Sequence, residues 1–217
     1  MATLTVAAAQ ELVRKNLDEV VQNSSIMYPA SSESQDDASI DTVIARTLPE
    51  AINAVNLVIP AERAVGEDFN TASARTVSID TDSMVMTITL NNVPLRVLSF
   101  RASSSRIVIG EVTPEYSVLG REQQDEYVRG RIDAPVLVQA SGNAKKFYYY
   151  TAGSSSDTIA EFRGVYPVEY SASATQYSIL DGTYWAVINQ LTGMVCEIYG
   201  EHDRAQYFFA LATSQLQ

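Results

Sequence analysis

Apolar residues recur at the spacing of a helix face at both ends of the chain, whereas the middle alternates apolar and polar residues as strands do. At the N-terminal end, Thr3 or Thr5 can cap a helix that runs to about Asn23. Its apolar residues fall on a single stripe, which must be buried against another element. The stripe consists of Val6, Ala9, Val13, Leu17 and Val20.

A second helical segment starts near Ser39 and stops at Pro60. Pro49 interrupts it, and Thr47 to Glu50 has the spacing of a capping box, so a new helix could begin there. One bent helix is the slightly preferred alternative, because the apolar stripe keeps its phase across the proline. The stripe consists of Ile40, Val43, Ile44, Leu48, Ile52, Val55 and Ile59.

Between about residues 75 and 170 the period changes to two, which predicts strands. The expected strands are 77–79, 84–90, 95–100, 106–109, 136–139, 146–150 and 159–168. The polar stretch 117–127 predicts one short helix. Alternation places Phe147 and Tyr149 on one face of their strand and Tyr148 and Tyr150 on the other. We expect one of these pairs in a core and the other at an interface or in a ligand groove.

Two helices are predicted near the C-terminus, one from Tyr184 to about Tyr199 and one that begins around Glu201-His202-Asp203. Gly200 closes the first of them. Their apolar positions are Trp185, Ile188, Leu191, Val195 and Ile198 in the first, and Phe208, Phe209, Leu211 and Leu216 in the second. We predict that Trp185 and Phe208 belong to a helical core that joins the two ends of the chain.

The order of these segments predicts an α+β fold, in which helices from both chain ends pack as a bundle with an inserted antiparallel β module. The expected parts are an N-terminal helical part at 1–62, a β-rich insertion at 63–176, and C-terminal helices at 177–217 that join the N-terminal part. A chain of 217 residues, 46% of them hydrophobic, can bury a sizeable core in such an arrangement.

The charge of the chain is strongly negative, with 15 Lys and Arg against 26 Asp and Glu and a formal net charge of −11. This balance argues against nucleic-acid binding through a broad basic surface. An acidic lining would instead repel phosphates and let DNA pass, although solubility alone also explains the charge. Residues 31–37 contain no apolar side chain and predict an exposed acidic loop that stays mobile until a neighbouring subunit binds.

The sequence has no signal-peptide pattern at its start and no apolar run near the ~20 residues that a membrane helix requires. One cysteine gives no disulfide framework. These features are typical of a soluble protein made in the cytoplasm.

Residues that carry chemistry are sparse. His202 is the only histidine, so a mechanism that needs two imidazoles is excluded, and we expect this side chain on the surface. Cys196 lies in an apolar run and is expected to be a small core residue rather than a nucleophile. No GxxxxGK[ST], GxGxxG or GxSxG pattern is present. We therefore expect no catalytic residue, no cofactor site and no metal site.

Carboxylate pairs are the remaining candidates for catalysis, because glycoside hydrolysis needs two carboxyl groups across a cleft. The pairs are Asp36/Asp37, Glu67/Asp68, Asp80/Asp82 and Asp125/Glu126. All lie in turns or polar stretches, where an acidic protein offers such pairs by chance. Asp80-Thr81-Asp82-Ser83 could touch calcium, but it lacks the glycine and the distal glutamate of a calcium loop.

Short motifs follow one another in a particular order between residues 40 and 212. They are Leu48-Pro49-Glu50-Ala51 followed by Val55 and Pro60; Val93-Pro94-Leu95-Arg96-Val97-Leu98-Ser99-Phe100 ending in Arg101; then Gln124, Tyr127, Arg129, Gly130, Pro135 and Val136. A tyrosine-bearing strand and a closing helix from Trp185 to Tyr199 come next. This order resembles the ring-shaped head-to-tail connector (neck adaptor) proteins of tailed phages, most closely those of crAss-like phages. The chain differs from their pattern at Ser103-Ser104-Ser105-Arg106, where a tryptophan and basic residues are expected.

The resemblance implies a virion structural protein of the phage neck and tail, without enzymatic activity. It implies a rotationally symmetric homo-oligomer, a dodecamer, that forms a ring below the portal protein and contacts neighbouring neck or tail ring proteins. DNA would pass through the lumen without specific binding, and no membrane would be involved. The protein would be made in the host cytoplasm and located in the virion. The residues themselves are compatible with this, because subunits that contact head to tail close into a ring when the rotation permits.

Two other function classes stay open. One is a β-sandwich binding module that recognises a glycan or a peptide through its tyrosines. The other is a hydrolase that uses one of the carboxylate pairs. Native mass separates a closed ring from a ligand-binding module, which has no need to form one.

Overall fold

The computed structural model describes residues 2–21, 40–61, 63–64, 66–71, 73–127, 129 and 134–217. The chain divides into two compact units. The helical unit comprises Met1–Val65 and Val168–Gln217, and the β unit comprises Gly66–Pro167. Both chain ends therefore belong to one unit, and the other unit is a single insertion. The acidic stretch 31–37 lies outside the described residues.

The fold is α+β. The described helices are α1 (Val6–Val21), α2 (Ile40–Val58), α3 (Val118–Glu122), α4 (Tyr184–Ile198) and α5 (His202–Ser214). The described strands are β1 (Ala2–Thr5), β2 (Glu67–Asp68), β3 (Arg75–Ile79), β4 (Met86–Leu90), β5 (Arg96–Ala102), β6 (Val112–Pro114), β7 (Leu137–Gln139), β8 (Lys146–Tyr149), β9 (Ile159–Val165) and β10 (Gln176–Ile179).

The two N-terminal helices follow the apolar pattern. Thr5 precedes α1, and its Oγ1 accepts a hydrogen bond from the Ala8 amide at 3.2 Å, so Thr5 rather than Thr3 makes the cap. Helix α2 continues through Pro49, which confirms the single-helix alternative. A proline inside a helix removes one backbone donor, and here the Thr47 hydroxyl bonds the Val43 carbonyl in the same region at 2.9 Å.

Helix α4 packs against α1, α2 and α5, and these four helices share one core with strand β10. Phe208 on α5 is 5% exposed, which confirms its predicted place in this core. The same prediction is wrong for Trp185, which is 55% exposed. The buried face of α4 is centred on Val187, Leu191 and Val195. Trp185 precedes Val187 by two residues, or about 200° around the helix, and so points away from that face.

Gly200 ends α4 as predicted. Its φ of +79° is in the left-handed region that favours glycine. The Glu201 amide bonds the Cys196 carbonyl at 2.8 Å, and the Gly200 amide bonds the Glu197 carbonyl at 3.0 Å. This pair of bonds is the Schellman motif, which satisfies the last carbonyls of the helix and turns the chain into α5.

The helical unit also contains a two-stranded antiparallel sheet that the sequence pattern did not predict. In it β1 pairs with β10, with Leu4 opposite Tyr177. Leu4 is fully buried. Strand β10 at 176–179 belongs to the helical unit, which resumes at Val168 after the β unit.

The β unit consists of two sheets that share a core. One has the strand order β3-β4-β8-β7-β6 and the other the order β2-β9-β5. Aromatic rings join them: Phe100 and Tyr149 lie 5.3 Å apart between ring centroids, and Phe147 and Phe162 lie 5.8 Å apart. All strand pairs of these two sheets are antiparallel except β6 with β7, which are parallel.

Two local expectations in the β unit are wrong. Residues 106–109 do not form a strand, and only Ile109 bridges to Phe100 on β5. The stretch 117–127 is helical only over α3, and turns follow from Gln123 onward. Both stretches leave apolar side chains in solvent.

Candidate interaction surfaces

The segment around α3 exposes four large side chains, which we call the α3 surface. Tyr116 is 71% exposed, Val118 76%, Leu119 46% and Tyr127 96%. Scattered single apolar residues are normal on a protein surface, but a cluster in one short segment is typical of a contact site. Tyrosine is also enriched in interfaces. This is the most concentrated exposed apolar feature among the residues that the structure describes in the β unit.

The backbone of α3 is fixed at its start. The Ser117 hydroxyl accepts a hydrogen bond from the Gly120 amide at 3.0 Å and donates one to the Pro114 carbonyl at 2.7 Å. A Cβ on Gly120 would stand only 2.2 Å from the Pro114 carbonyl oxygen, so no other residue fits there without movement of the backbone. The helix is therefore tied to the end of β6 by a cap and a close contact.

Polar contacts hold the rest of this segment onto the five-stranded sheet. The Glu115 carboxylate accepts hydrogen bonds from the Ser141 amide at 2.6 Å and from the Gln124 side chain at 3.2 Å. Further along, Arg129 donates to the Ser83 carbonyl at 3.1 Å. The exposed side chains of the α3 surface thus stand on a segment that is anchored at several points.

The tyrosines of β8 divide as the alternation predicts. Phe147 and Tyr149 are fully buried in the core, whereas Tyr148 and Tyr150 are half-buried on the other face. Burial raises the pKa of the Tyr150 phenol, as do the nearby Glu115 and Tyr148. This second pair is therefore partly covered and does not form a fully open aromatic platform.

A buried carboxylate ties two loops of the β unit together. Asp157 is 8% exposed, and its oxygens accept hydrogen bonds from side chains and amides of both loops. The donors are the Ser103 hydroxyl at 2.5 Å, the Ser104 hydroxyl, the Ser104 amide at 3.1 Å, the Gly153 amide at 3.1 Å and the Thr158 amide at 2.9 Å. We call this cluster the Asp157 knot. It uses Ser103 and Ser104, two neighbouring serines of the loop that follows β5.

The donors of the Asp157 knot favour the charged form of the carboxyl group. Burial alone would raise the pKa of Asp157, but hydrogen bonds from the Ser103 and Ser104 hydroxyls and from the Gly153 and Ser104 amides outweigh it. The pKa therefore lies below its ordinary value. With no histidine or lysine among these partners, the cluster is built to hold backbone in place rather than to activate a serine.

The loop that leaves the Asp157 knot exposes a basic and apolar tripeptide, Arg106-Ile107-Val108, which we call the 106–108 loop. Ile107 is 41% exposed and Val108 50%, and Arg106 is exposed as well. The buried Ser105 hydroxyl accepts a hydrogen bond from the Ile107 amide at 3.1 Å. Because the loop is fixed on one side by the knot and on the other by the bridge of Ile109 to Phe100, its tip is held in solvent.

The helical unit has exposed apolar side chains of its own. Val58 at the end of α2 is 62% exposed, Trp185 55%, Ile198 58% and Tyr207 59%. They lie on three different helices and do not follow one another along the chain. The sequence pattern placed Trp185 and Ile198 on a core stripe, so it missed them as surface residues.

Among the described residues, the cysteine and the histidine lie in different surroundings. Cys196 is fully buried, and burial raises the pKa of its thiol to about 11, so it stays protonated at neutral pH. Its assignment as a core residue is confirmed. His202 is exposed in the first turn of α5, also as predicted.

The described carboxylate pairs serve local turns. Asp68 accepts a hydrogen bond from the Asn70 amide at 2.8 Å, and Asp80 accepts one from the Asp82 amide at 2.9 Å. Asp125 bonds the Tyr127 amide at 2.9 Å. The pair Asp36/Asp37 lies outside the described residues. Within the described part of the chain, no group of three or more His, Cys, Asp or Glu side chains is arranged to hold a metal ion.

Comparison with known proteins finds no family model that matches the chain and no curated protein that matches its sequence. Among the described helices, none is both long enough and apolar enough to cross a membrane.

Proposed function

We propose that this chain is a structural subunit of a phage virion and forms a ring in the head-to-tail connector. In this role it encloses the DNA conduit between portal and tail, next to other neck or tail rings. We infer the kind of assembly from the resemblance of the ordered motifs to those of connector proteins. The exposed apolar α3 surface, held on an anchored backbone, is the observation that carries the proposal of a subunit made to contact other copies.

The motifs that carry the resemblance occupy structural positions. Leu48, Pro49 and Ala51 are buried on α2, and Phe100 is fully buried on β5. The motifs are therefore parts of the two cores, where a shared fold would require them. By contrast, Tyr127 is 96% exposed, and a core role does not explain it. An exposed tyrosine in a conduit ring is available to a neighbouring subunit.

The negative charge of the chain supports the proposal that it encloses a conduit for DNA. A net charge of −11 repels the phosphates of DNA, which keeps a passing duplex from adhering to the wall. Dodecameric closure requires only that each subunit offer two different surfaces related by a fixed rotation. Exposed apolar side chains occur on both units, so the chain has more than one surface to offer.

The alternative of a glycan- or peptide-binding module relies on the tyrosines of β8. The only pair outside the core, Tyr148 and Tyr150, is half-buried, and Lys146 lies 4.9 Å from the centroid of the Tyr148 ring. Stacking on a sugar or peptide needs an open aromatic face. The ring is therefore the better supported proposal.

Native mass spectrometry over a concentration series tests the proposal. The expected result is a closed species at twelve times the 23.7 kDa of one chain, with a ring visible in negative-stain images. Phage ring proteins often assemble only on their neighbour, so the second observation is a reconstruction of the virion neck. A neck map that shows this chain as an isolated monomer on the virion surface would overturn the proposal.

A further inference from the structure

We propose that the α3 surface of one copy receives the 106–108 loop of the next copy. The two surfaces are then the two halves of one repeated contact. This inference rests on the proposed function, since it names the contact that would close the ring. It follows from the charges of the two surfaces. The α3 surface and the loop carry opposite charge, whereas two copies of the same surface carry like charge.

The α3 surface is apolar with a mainly acidic surround. Exposed charged side chains of the same segment are Arg121, Glu122, Asp125 and Glu126. Arg129 of the same segment is ion-paired with Glu126 at 3.1 Å, so the remaining excess is that of Glu122 and Asp125 over Arg121, and the surround is net negative. A partner that fills this surface has to bring apolar side chains together with positive charge.

The 106–108 loop has that composition. Arg106 supplies the positive charge, and Ile107 and Val108 supply two β-branched apolar side chains that are exposed beside it. Glu111 is the nearest exposed acidic residue along the loop, five residues beyond Arg106. The negative charge of the knot itself is buried and already receives five hydrogen bonds.

The hydrogen bonds of the Asp157 knot order the backbone of the 106–108 loop before it binds. A loop that must be ordered on association loses conformational freedom, which reduces affinity. Here the backbone before the loop is fixed by the bonds to Asp157, and the backbone after it is fixed by the bridge between Ile109 and Phe100. The loop therefore loses little conformational freedom when it binds its partner.

A two-fold contact of the α3 surface with itself is unfavourable. It would bring Glu122 and Asp125 of one copy against the same residues of another, and like charges in an interface are repulsive. A contact between two different surfaces avoids this repulsion. It leaves one free α3 surface and one free loop on every pair, so addition of copies continues until the ring closes.

Thiol cross-linking tests the contact with the full chain. Val108→Cys and Val118→Cys place single thiols on the loop and on the α3 surface, at positions 50% and 76% exposed. The native Cys196 is buried with a raised pKa and stays silent. A short bis-maleimide should join the two variants into a dimer when they are mixed, and should join the double variant into a ladder of larger species.

Three controls make the result specific. Gln206→Cys, exposed on α5 of the helical unit, should give no product with Val108→Cys above random collision. Val118→Cys alone should give no dimer. Arg106→Glu should reduce the cross-linking rate about tenfold, equivalent to roughly 1.4 kcal/mol, and Glu122→Arg in the partner should restore it. Circular dichroism confirms that each variant is folded.

The outcomes separate this inference from the proposed function. A ring in native mass spectra without the Val108–Val118 product would overturn the contact and leave the ring intact. A strong Val118–Val118 product would overturn it in favour of a two-fold dimer. Folded protein that shows neither ring nor cross-link at high concentration would overturn this inference. In that case a neck map without a ring of this chain would overturn the proposed function as well.

Discussion

Asp157 concentrates more hydrogen bonds on one side chain than any other group described in the β unit, and its replacement is the sharpest test at the scale of a residue. In Asp157→Asn, the new amide nitrogen cannot accept the bonds that the Ser104 hydroxyl and the Gly153 amide donate to Oδ2. Losing hydrogen bonds to a charged, buried carboxylate should lower the free energy of unfolding by about 1.5–3 kcal/mol. Chemical denaturation at neutral pH measures this loss, and Asp82→Asn on an exposed turn is the matched control.

The carboxyl group of Asp157 also makes the stability of the protein depend on pH, in a direction that can be predicted. The folded-state pKa of Asp157 lies below its ordinary value of about 3.9 in an unfolded chain. Its contribution to stability is therefore fully present above that pH and is lost as the pH falls through the lower folded-state pKa. Thermal melts between pH 6 and pH 2 should show a smaller acid-induced loss in Asp157→Asn than in the parent. Equal acid sensitivity of the two proteins would contradict the role of this carboxylate.

At the scale of an element, Gly200 sets the end of α4 by its backbone conformation alone. A Cβ at this position would meet nothing within 4 Å, so a substitution acts only through the positive φ. Gly200→Ala should therefore destabilise the helical unit by about 1–2 kcal/mol. Gly110→Ala is the control, because its φ is not in the left-handed region and its Cβ would make an ordinary contact at 3.9 Å. Differential scanning calorimetry of both variants distinguishes conformational strain from a general effect of alanine.

The pair Phe208 and Trp185 tests the core of the helical unit. Phe208→Ala should lower the free energy of unfolding by about 3–5 kcal/mol, because it removes a buried aromatic side chain from the core. Trp185→Ala should change it by less than about 0.5 kcal/mol, as is usual for an exposed site. Urea titrations followed by circular dichroism compare the two. A Phe208→Ala protein that melts like the parent but cannot form rings would show that Phe208 lies in a subunit contact.

The sequence predicted the long elements well and the short ones poorly. Helices α1, α2, α4 and α5 each repeat their apolar pattern over several turns, so the period is unambiguous. Strands β1, β2, β6 and β10 have two to four residues each, too few to establish a period. They exist because of partners far along the chain, as with Ala2 opposite Ile179.

The candidate surfaces could be predicted only in part. The burial of Cys196 and the exposure of His202 were predicted from their sequence surroundings. The exposure of Val118, Ile107 and Trp185 was not, because an apolar residue in a pattern is assigned to a core by default. Only the three-dimensional packing reveals that α3 ends at Glu122 and that α4 buries a face centred on Val187. The knot at Asp157 had no signal in the sequence, since its donors are serine hydroxyls and backbone amides from two separate loops.

At the scale of the whole molecule, the division into units predicts how fragments behave. The β unit is one continuous segment, Gly66–Pro167, with its own core of aromatic and aliphatic residues. A unit of this kind can fold alone, so the isolated fragment should give dispersed NMR spectra and a cooperative melt. Residues 1–65 alone should not, because their apolar stripes are buried by α4 and α5. A protein in which a short glycine-serine linker replaces 66–167 is the control and should regain the helical core.

The pairing of β1 with β10 also determines when the protein can finish folding. Synthesis delivers α1 and α2 first, then the whole β unit, and only afterwards the helices that cover them. At roughly 5–20 residues per second, the ribosome needs on the order of 5–20 s to make the intervening segment. During that interval the stripe through Ile44, Leu48 and Ile52 can pack only against α1, because α4 has not been made, whereas the β unit can complete its own core. The nascent chain therefore matures from its middle outward, and its first helices complete their core only when the last ones have been made.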